Sequence, residues 1–460
     1  MPATDLAAKI RAKTVSPIEI VDAVLARIEA VNSKLNAFVF VHGDEARQLA
    51  RDAESAVMRG DDLGPLHGVP VSVKDNLAVA GKPSTYGSNL LKDNVAQETS
   101  PIAARIVAAG GIIVGRTNTP EFAWRGSTDN PLWGETRNPW DLTRTAGGSS
   151  GGAGAAVAAG LGPLAHGTDG AGSIRIPASF CGIVGHKPSF GRVPFVPSSG
   201  AGELSAHAGP MTRTVRDAAL MLDVIAGPDD RDRFSLPATS ERYSESVEGG
   251  VNGWRIAWSP DLGHIPVDPE VREICQTAYQ AFGELGATLS EPDLGLFDPE
   301  PMLGVLYPFN QAAGHGARPP EQHAVMDPGL VAIAKEGAKL TAVQIGHAMA
   351  QRVQYWDRMC RAFEQFDVLV SPTIAVPPFE LGIVGPTQVN GRDVVHLAWT
   401  LAYPFNFTGQ PAITVPCGFT RSGLPVGLQI IGKRYADGAV LRAAAAFESA
   451  RPWANRRPSL

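Results

Sequence analysis

Alternating helix and strand signals predict an α/β fold, organised as one large domain over residues 1–460. Two stretches carry the prediction. In the first, Ser100-Pro101 reads as an N-cap followed by proline at the first helical position, and Gly110-Gly111 reads as the stop. The next residues, Ile112-Ile113-Val114-Gly115, form a short apolar run typical of a strand covered on both faces. In the second, a strand at Trp254 to Trp258 precedes a helix capped by Asp268-Pro269 and a strand near Ala287 to Leu289. A chain of 460 residues with 44% hydrophobic side chains suffices for one large domain or two ordinary ones, and the lack of an internal repeat favours one.

The remaining elements follow in order. Ser16-Pro17-Ile18-Glu19 combines an N-cap, a first-turn proline and a capping-box glutamate, and Val21, Val24, Leu25, Ile28 and Val31 then line one face of the first expected helix. Gly68 to Lys74 alternates β-branched residues before a polar stretch, which places Lys74 at a strand's exit. The run GGAGAAVAAG from Gly151 to Gly160 can be helical only if packed closely against neighbours, because its glycines weaken an isolated helix. Thr214 and Asp217 open a helix that stops at Gly227-Pro228, and the polar residues 228–250 read as a surface excursion. Residues 296–350 show no comparable pattern. A buried strand at Val368 to Val370, a hairpin around Thr420 to Gly423 and a helix near Ala439 to Ala450 complete the chain.

Composition narrows the function. The formal charge of −6, without a dense block of like charges, argues against nucleic acid and anionic membranes as partners. The N-terminus lacks the apolar run of a secretory signal and no segment reaches the roughly 20 apolar residues of a membrane span, so a cytoplasmic protein is expected. Cys181, Cys275, Cys360 and Cys417 are too widely spaced to indicate a disulfide framework or metal site, and read as reduced structural thiols. The 50 glycines and 37 prolines point to many tight loops, the usual seat of chemistry.

Two such loops stand out: Ala146-Gly147-Gly148-Ser149-Ser150-Gly151-Gly152-Ala153, and Gly167-Thr168-Asp169-Gly170-Ala171-Gly172-Ser173-Ile174-Arg175. Glycines let backbone N–H groups converge without side-chain obstruction, as an oxyanion hole requires, and Gly170, Ala171, Gly172 and Ser173 could form one. Either loop alone also reads as an ordinary tight turn. A serine nucleophile needs a base. His166 is available, although an alanine-flanked histidine is more often a packing residue. Lys74 can serve only when burial or a positive neighbour depresses its pKa; by composition alone a lysine there is more often an ordinary surface residue.

The segments VSVKDN, GGSSGGAGAA and GTDGAGSIRIPASFCGIVGHKP resemble the amidase signature family in order and spacing, with 75 residues from Lys74 to Ser149 and 24 from Ser149 to Ser173. The likeness covers a signature core of about residues 60–220, with weaker likeness at the termini and at Gly409-Gln410-Pro411-Ala412. The resemblance implies an α/β/α sandwich around a mixed sheet, without metal or organic cofactor. It implies Ser173 as nucleophile, Ser149 as a proton-relaying bridge after a cis peptide at Gly148, and neutral Lys74 as base. Ala171 departs from the commoner glycine, which puts the individual oxyanion donors in doubt. Asp169 and Arg175 read as a loop-bracing pair or an ordinary ion pair.

The expected substrate is a small amide, apolar or aryl, with esters and carbamates as side reactions; a monomer or a homodimer is compatible with the sequence. One alternative is a glutamine-dependent amidotransferase A-type subunit, disfavoured because an approximate alignment sets Trp399 where a glutamine-binding charge belongs. Another is an α/β-hydrolase esterase using Ser149 within G-x-S-x-G, which leaves the second loop unexplained. Trp124, Trp133, Tyr307, Phe309 and Trp399 read equally as pocket or core, and residues 296–350 are expected to be the substrate-shaping insertion.

Overall fold

The computed structural model describes residues 1–196 and 205–460, so residues 197–204 of the expected signature core lie outside the described residues. An eleven-stranded mixed sheet forms the middle layer among the described residues. Its strands run in the order Phe38–Val41, Ile112–Thr117, Pro70–Lys74, Leu164–Asp169, His207–Thr212, Val184–Lys187, Ala412–Phe419, Pro425–Gly432, Val368–Pro372, Arg255–Trp258 and Thr288–Ser290. Pro70–Lys74 pairs in parallel with both Ile112–Thr117 and Leu164–Asp169. Lys74 and Asp169 therefore lie at strand exits on the same edge of the sheet, the usual site of chemistry in α/β folds.

Helices cover both faces of the sheet, giving an α/β sandwich. The capping box at Ser16 forms as expected and opens the helix Pro17–Leu35. The glycine-rich helix Gly151–Ala158 is buried along its whole length. A Cβ at Gly152 would lie 2.3 Å from the Asn118 amide nitrogen and 2.6 Å from the Ala37 carbonyl oxygen, so only glycine permits that approach.

Two sequence expectations need correction. The fold begins one helix earlier than expected, at Ala3–Arg11, whose N-terminal amides have no cap from a neighbouring side chain. The buried Asp217 carboxylate accepts from Ala3 N and Thr4 N, each at 2.9 Å, and supplies that cap from 214 residues away. Residues 296–350 are largely helical. Glu300–Gln311 continues through a wider turn at Ala312–Gly316, and Pro328–Gly337 and the start of Ala342–Ala362 follow. Pro308 within the first helix and the wide turn interrupt the periodicity that would have announced it.

Candidate active site

Lys74 ends its strand with the side chain fully buried, and its Nζ lies 2.7 Å from Ser149 Oγ and 2.9 Å from Thr168 Oγ1. Burial drives its pKa well below that of a free lysine; Asp169, the carboxylate acting against that shift, is itself neutralised by Arg175. A neutral amine has two N–H donors and one lone pair. Thr168 Oγ1 can accept from one N–H while the lone pair faces the Ser149 hydroxyl.

Ser149 follows a cis Gly148–Ser149 peptide bond, as the family resemblance implies. A Cβ on Gly148 would lie 2.7 Å from the Ser127 backbone, so the chain has room there only for glycine. Thr128 Oγ1 donates to the Gly147 carbonyl at 2.8 Å and accepts from Gly151 N at 3.0 Å, tying the loop on both sides of Ser149.

Ser173 is half-buried and faces the same cavity as Ser149. Its loop is held by Asp169, which accepts from Gly172 N at 2.7 Å, Ile174 N at 3.1 Å and Asn406 Nδ2 at 2.9 Å, and pairs with Arg175 at 3.0 Å. The Arg175 guanidinium also donates to Gln429, Asn406 and the Ala402 carbonyl. These contacts hold the Asp169 carboxyl well below the ordinary range despite complete burial. The Asp169–Arg175 pair is thus the brace of the serine loop. Ser150 N donates to the Ser173 carbonyl at 3.1 Å, joining the two glycine-rich loops directly.

The expected oxyanion donors separate here. Gly170, Ala171 and Ser173 line the cavity, whereas the Gly172 N–H is turned inward and engaged by Asp169. This corrects the expectation for Gly172, which instead supplies a left-handed φ of +114°. Ala171 is not among the residues with positive φ, so its methyl group fits without backbone strain.

The cavity has a volume of about 550 Å³. Of the five aromatic candidates only Tyr307 lines it, joined by Tyr86, Phe122 and Phe195, which the sequence did not single out. Trp124 packs with Met326, Leu330 and Val331, and the Trp133 indole donates to Thr85. Trp399 is buried between Phe180 and Phe379, away from the cavity, which removes the argument based on its position. Arg125 and Arg318 do reach the cavity. His166 also lines it but is not positioned as the partner of Ser149, a place Lys74 holds; burial, then Lys74 and Arg116, depress the His166 pKa to about 3. The esterase reading based on Ser149 therefore lacks its histidine.

The chain is similar over nearly its whole length to several known proteins. The sequence is 44% identical to an acylamidase of Rhodococcus erythropolis, over 100% of this chain and 97% of that protein. It is 36% identical to the A-type subunit of a glutamyl-tRNA(Gln) amidotransferase of Synechococcus sp., over 96% of this chain and 90% of the relative. The crystal structure of a bacterial aryl acylamidase of the amidase signature enzymes superposes with a TM-score of 0.94 at 36% identity, covering 100% of this chain and 99% of the other. Residues 19–441 match the family model described as Amidase, and the chain belongs to that family.

Proposed function

We propose that this protein hydrolyses the C–N bond of small acyl or aryl amides through an acyl-enzyme on Ser173, with Ser149 and Lys74 relaying the proton. The observation that carries the proposal is the fully buried Lys74 with Nζ 2.7 Å from Ser149 Oγ, beside the cavity that Ser149 and Ser173 share. Neutral Lys74 takes the Ser149 proton while Ser149 takes that of Ser173, and Ser173 Oγ bonds to the substrate carbonyl carbon. The oxyanion accepts from backbone N–H groups facing the cavity at Gly170, Ala171 and Ser173. Ser149 then protonates the departing nitrogen and is reprotonated by Lys74. Water attacks the acyl group by the same relay, releasing acid and free Ser173. The named activities of the acylamidase relatives support a hydrolytic role, and the chemistry extends to esters and carbamates.

The segment 296–350 shapes the substrate cavity in this reading, because Tyr307, Asn310, Gln311, His315 and Arg318 form one of its walls. A second reading, glutamine hydrolysis within an amidotransferase assembly, draws on the 36% identical relative and on Arg125 at the cavity, a cation suited to a carboxylate. An anilide, a matched ester, a carbamate and free glutamine, presented to wild type, Ser173→Ala and Lys74→Ala, test both readings. Cleavage of the anilide that both variants abolish supports the proposal; preferential cleavage of glutamine supports the second reading. Full activity in Lys74→Ala contradicts the relay.

A further inference from the structure

Among the polar side chains of the cavity that the mechanism does not use are His166 and Asn76. His166 is fully buried within the strand Leu164–Asp169, and neither ring nitrogen has a hydrogen-bond partner among the described residues. Asn76 donates through Nδ2 to Thr168 Oγ1 at 3.2 Å, while its buried Oδ1 likewise has no partner among them. Both residues line the catalytic cavity. An unsatisfied buried polar group costs about 1–3 kcal/mol, and two of them facing one space indicate a ligand or water that satisfies them.

Side chains alternate along a strand, so His166 lies on the same face as Thr168, about 7 Å deeper along the strand. Leu77 and Ile102 also line this cavity, so the polar atoms have apolar company. The charges nearby restrict what can bind. Among the described residues lining the cavity the one carboxylate, Asp169, is paired with Arg175, which leaves an ammonium group without a counter-charge. Asn76 Oδ1 can only accept a hydrogen bond, which disfavours a carboxylate. A neutral imidazole can turn its N–H toward the space, and a hydroxyl there accepts from that N–H while donating its one proton to Asn76 Oδ1.

We propose that His166 and Asn76 form a recognition site for a neutral hydroxyl carried by the substrate, which makes His166 a specificity-determining residue of this cavity. The inference rests on the amidase reading above, since it assigns the preference of that same site. It is tested with three matched anilides: unsubstituted, hydroxylated on the aryl amine, and hydroxylated on the acyl group. For each, kcat/KM is measured with wild type, His166→Leu and His166→Gln, and binding to Ser173→Ala is measured by calorimetry with and without His166→Leu. Wild type should prefer one hydroxylated anilide by about tenfold or more. His166→Leu should lose most of that preference, and His166→Gln, which keeps a donor and an acceptor, should retain it. Asn76→Leu gives the same loss and serves where His166→Leu fails to fold. Equal treatment of all three anilides by wild type, or an intact preference in His166→Leu, overturns the proposal. Calorimetry needs no turnover, so a hydroxyl preference in binding without cleavage sinks only the hydrolytic reading, and cleavage without preference sinks only this one.

Discussion

Two lysines are fully buried at strand ends of the same sheet, and only one is placed to act as a base. Lys74 Nζ faces the hydroxyls of Ser149 and Thr168. Lys187 Nζ donates to the carbonyls of Gln410 at 2.5 Å and Pro188 at 3.2 Å. Burial depresses both pKa values, and Arg175 adds to the shift at Lys187, where Asp169 and Asp437 oppose it. Carbonyls can only accept, so Lys187 must donate and gains nothing from losing its proton. A hydroxyl can give a proton as well as take one, so Lys74 can be neutral without leaving its neighbours unsatisfied. Burial alone therefore does not make a base; the chemistry of the partners decides.

The comparison is tested most severely by removing the proposed nucleophile and each lysine. Ser173→Ala should lower kcat for an anilide by about 10⁴-fold or more without changing the melting temperature appreciably. Asp169→Asn sets the brace of the serine loop against the relay. It should lower kcat by about 10²-fold, and the loss should persist at every pH because positioning rather than protonation is disturbed.

Lys187→Met leaves two buried carbonyls without their donor. It should destabilise the fold by about 2–3 kcal/mol in denaturant titrations while kcat stays within about tenfold of wild type. A kcat loss as large as that of Ser173→Ala would erase the distinction between the two lysines.

The smallest effect concerns Glu448, whose carboxyl accepts from Val215 N and is pushed by burial up to about 7. A raised carboxyl pKa favours the fold while the group is protonated, and that contribution is lost as pH rises from the unfolded value of about 4.5 through 7. Glu448→Gln should therefore raise the melting temperature by about 1–2 °C at pH 8 and leave it unchanged at pH 4.

What the sequence made legible was local. The Ser16 capping box and the strand ending at Lys74 depend on neighbouring residues, and each forms as read; the two glycine-rich loops form tight turns, with the Gly172 N–H turned away from the expected donor set. The α/β class and the amidase likeness followed from them. Long-range partners were not legible. The helix Ala3–Arg11 depends on Asp217, and the Gly172 N–H is diverted by a carboxylate whose own placement depends on Asn406 and Arg175. Cys275 and Cys417, 142 residues apart, have free thiols in contact at 3.8 Å, a proximity that spacing cannot reveal. Phe122 and Ala123 bring the aromatic wall to the cavity through left-handed backbone at φ +49° and +60°, which no propensity favours for such residues. The buried Glu121 accepts at 2.5 Å from both Ser88 Oγ and Asp327 N, so contacts on two distant segments hold that turn.

The central claim is that a neutral, buried Lys74 is the base, and its most direct test is kcat/KM for one anilide from pH 5 to 10 in wild type and Lys74→Met. A base must be unprotonated, so the wild-type rate should rise with pH through a midpoint well below the lysine value of 10.5. Lys74→Met should be slower by about 10³-fold or more and should lack that limb. A Lys74→Met enzyme that keeps both its rate and the wild-type pH profile would contradict the account.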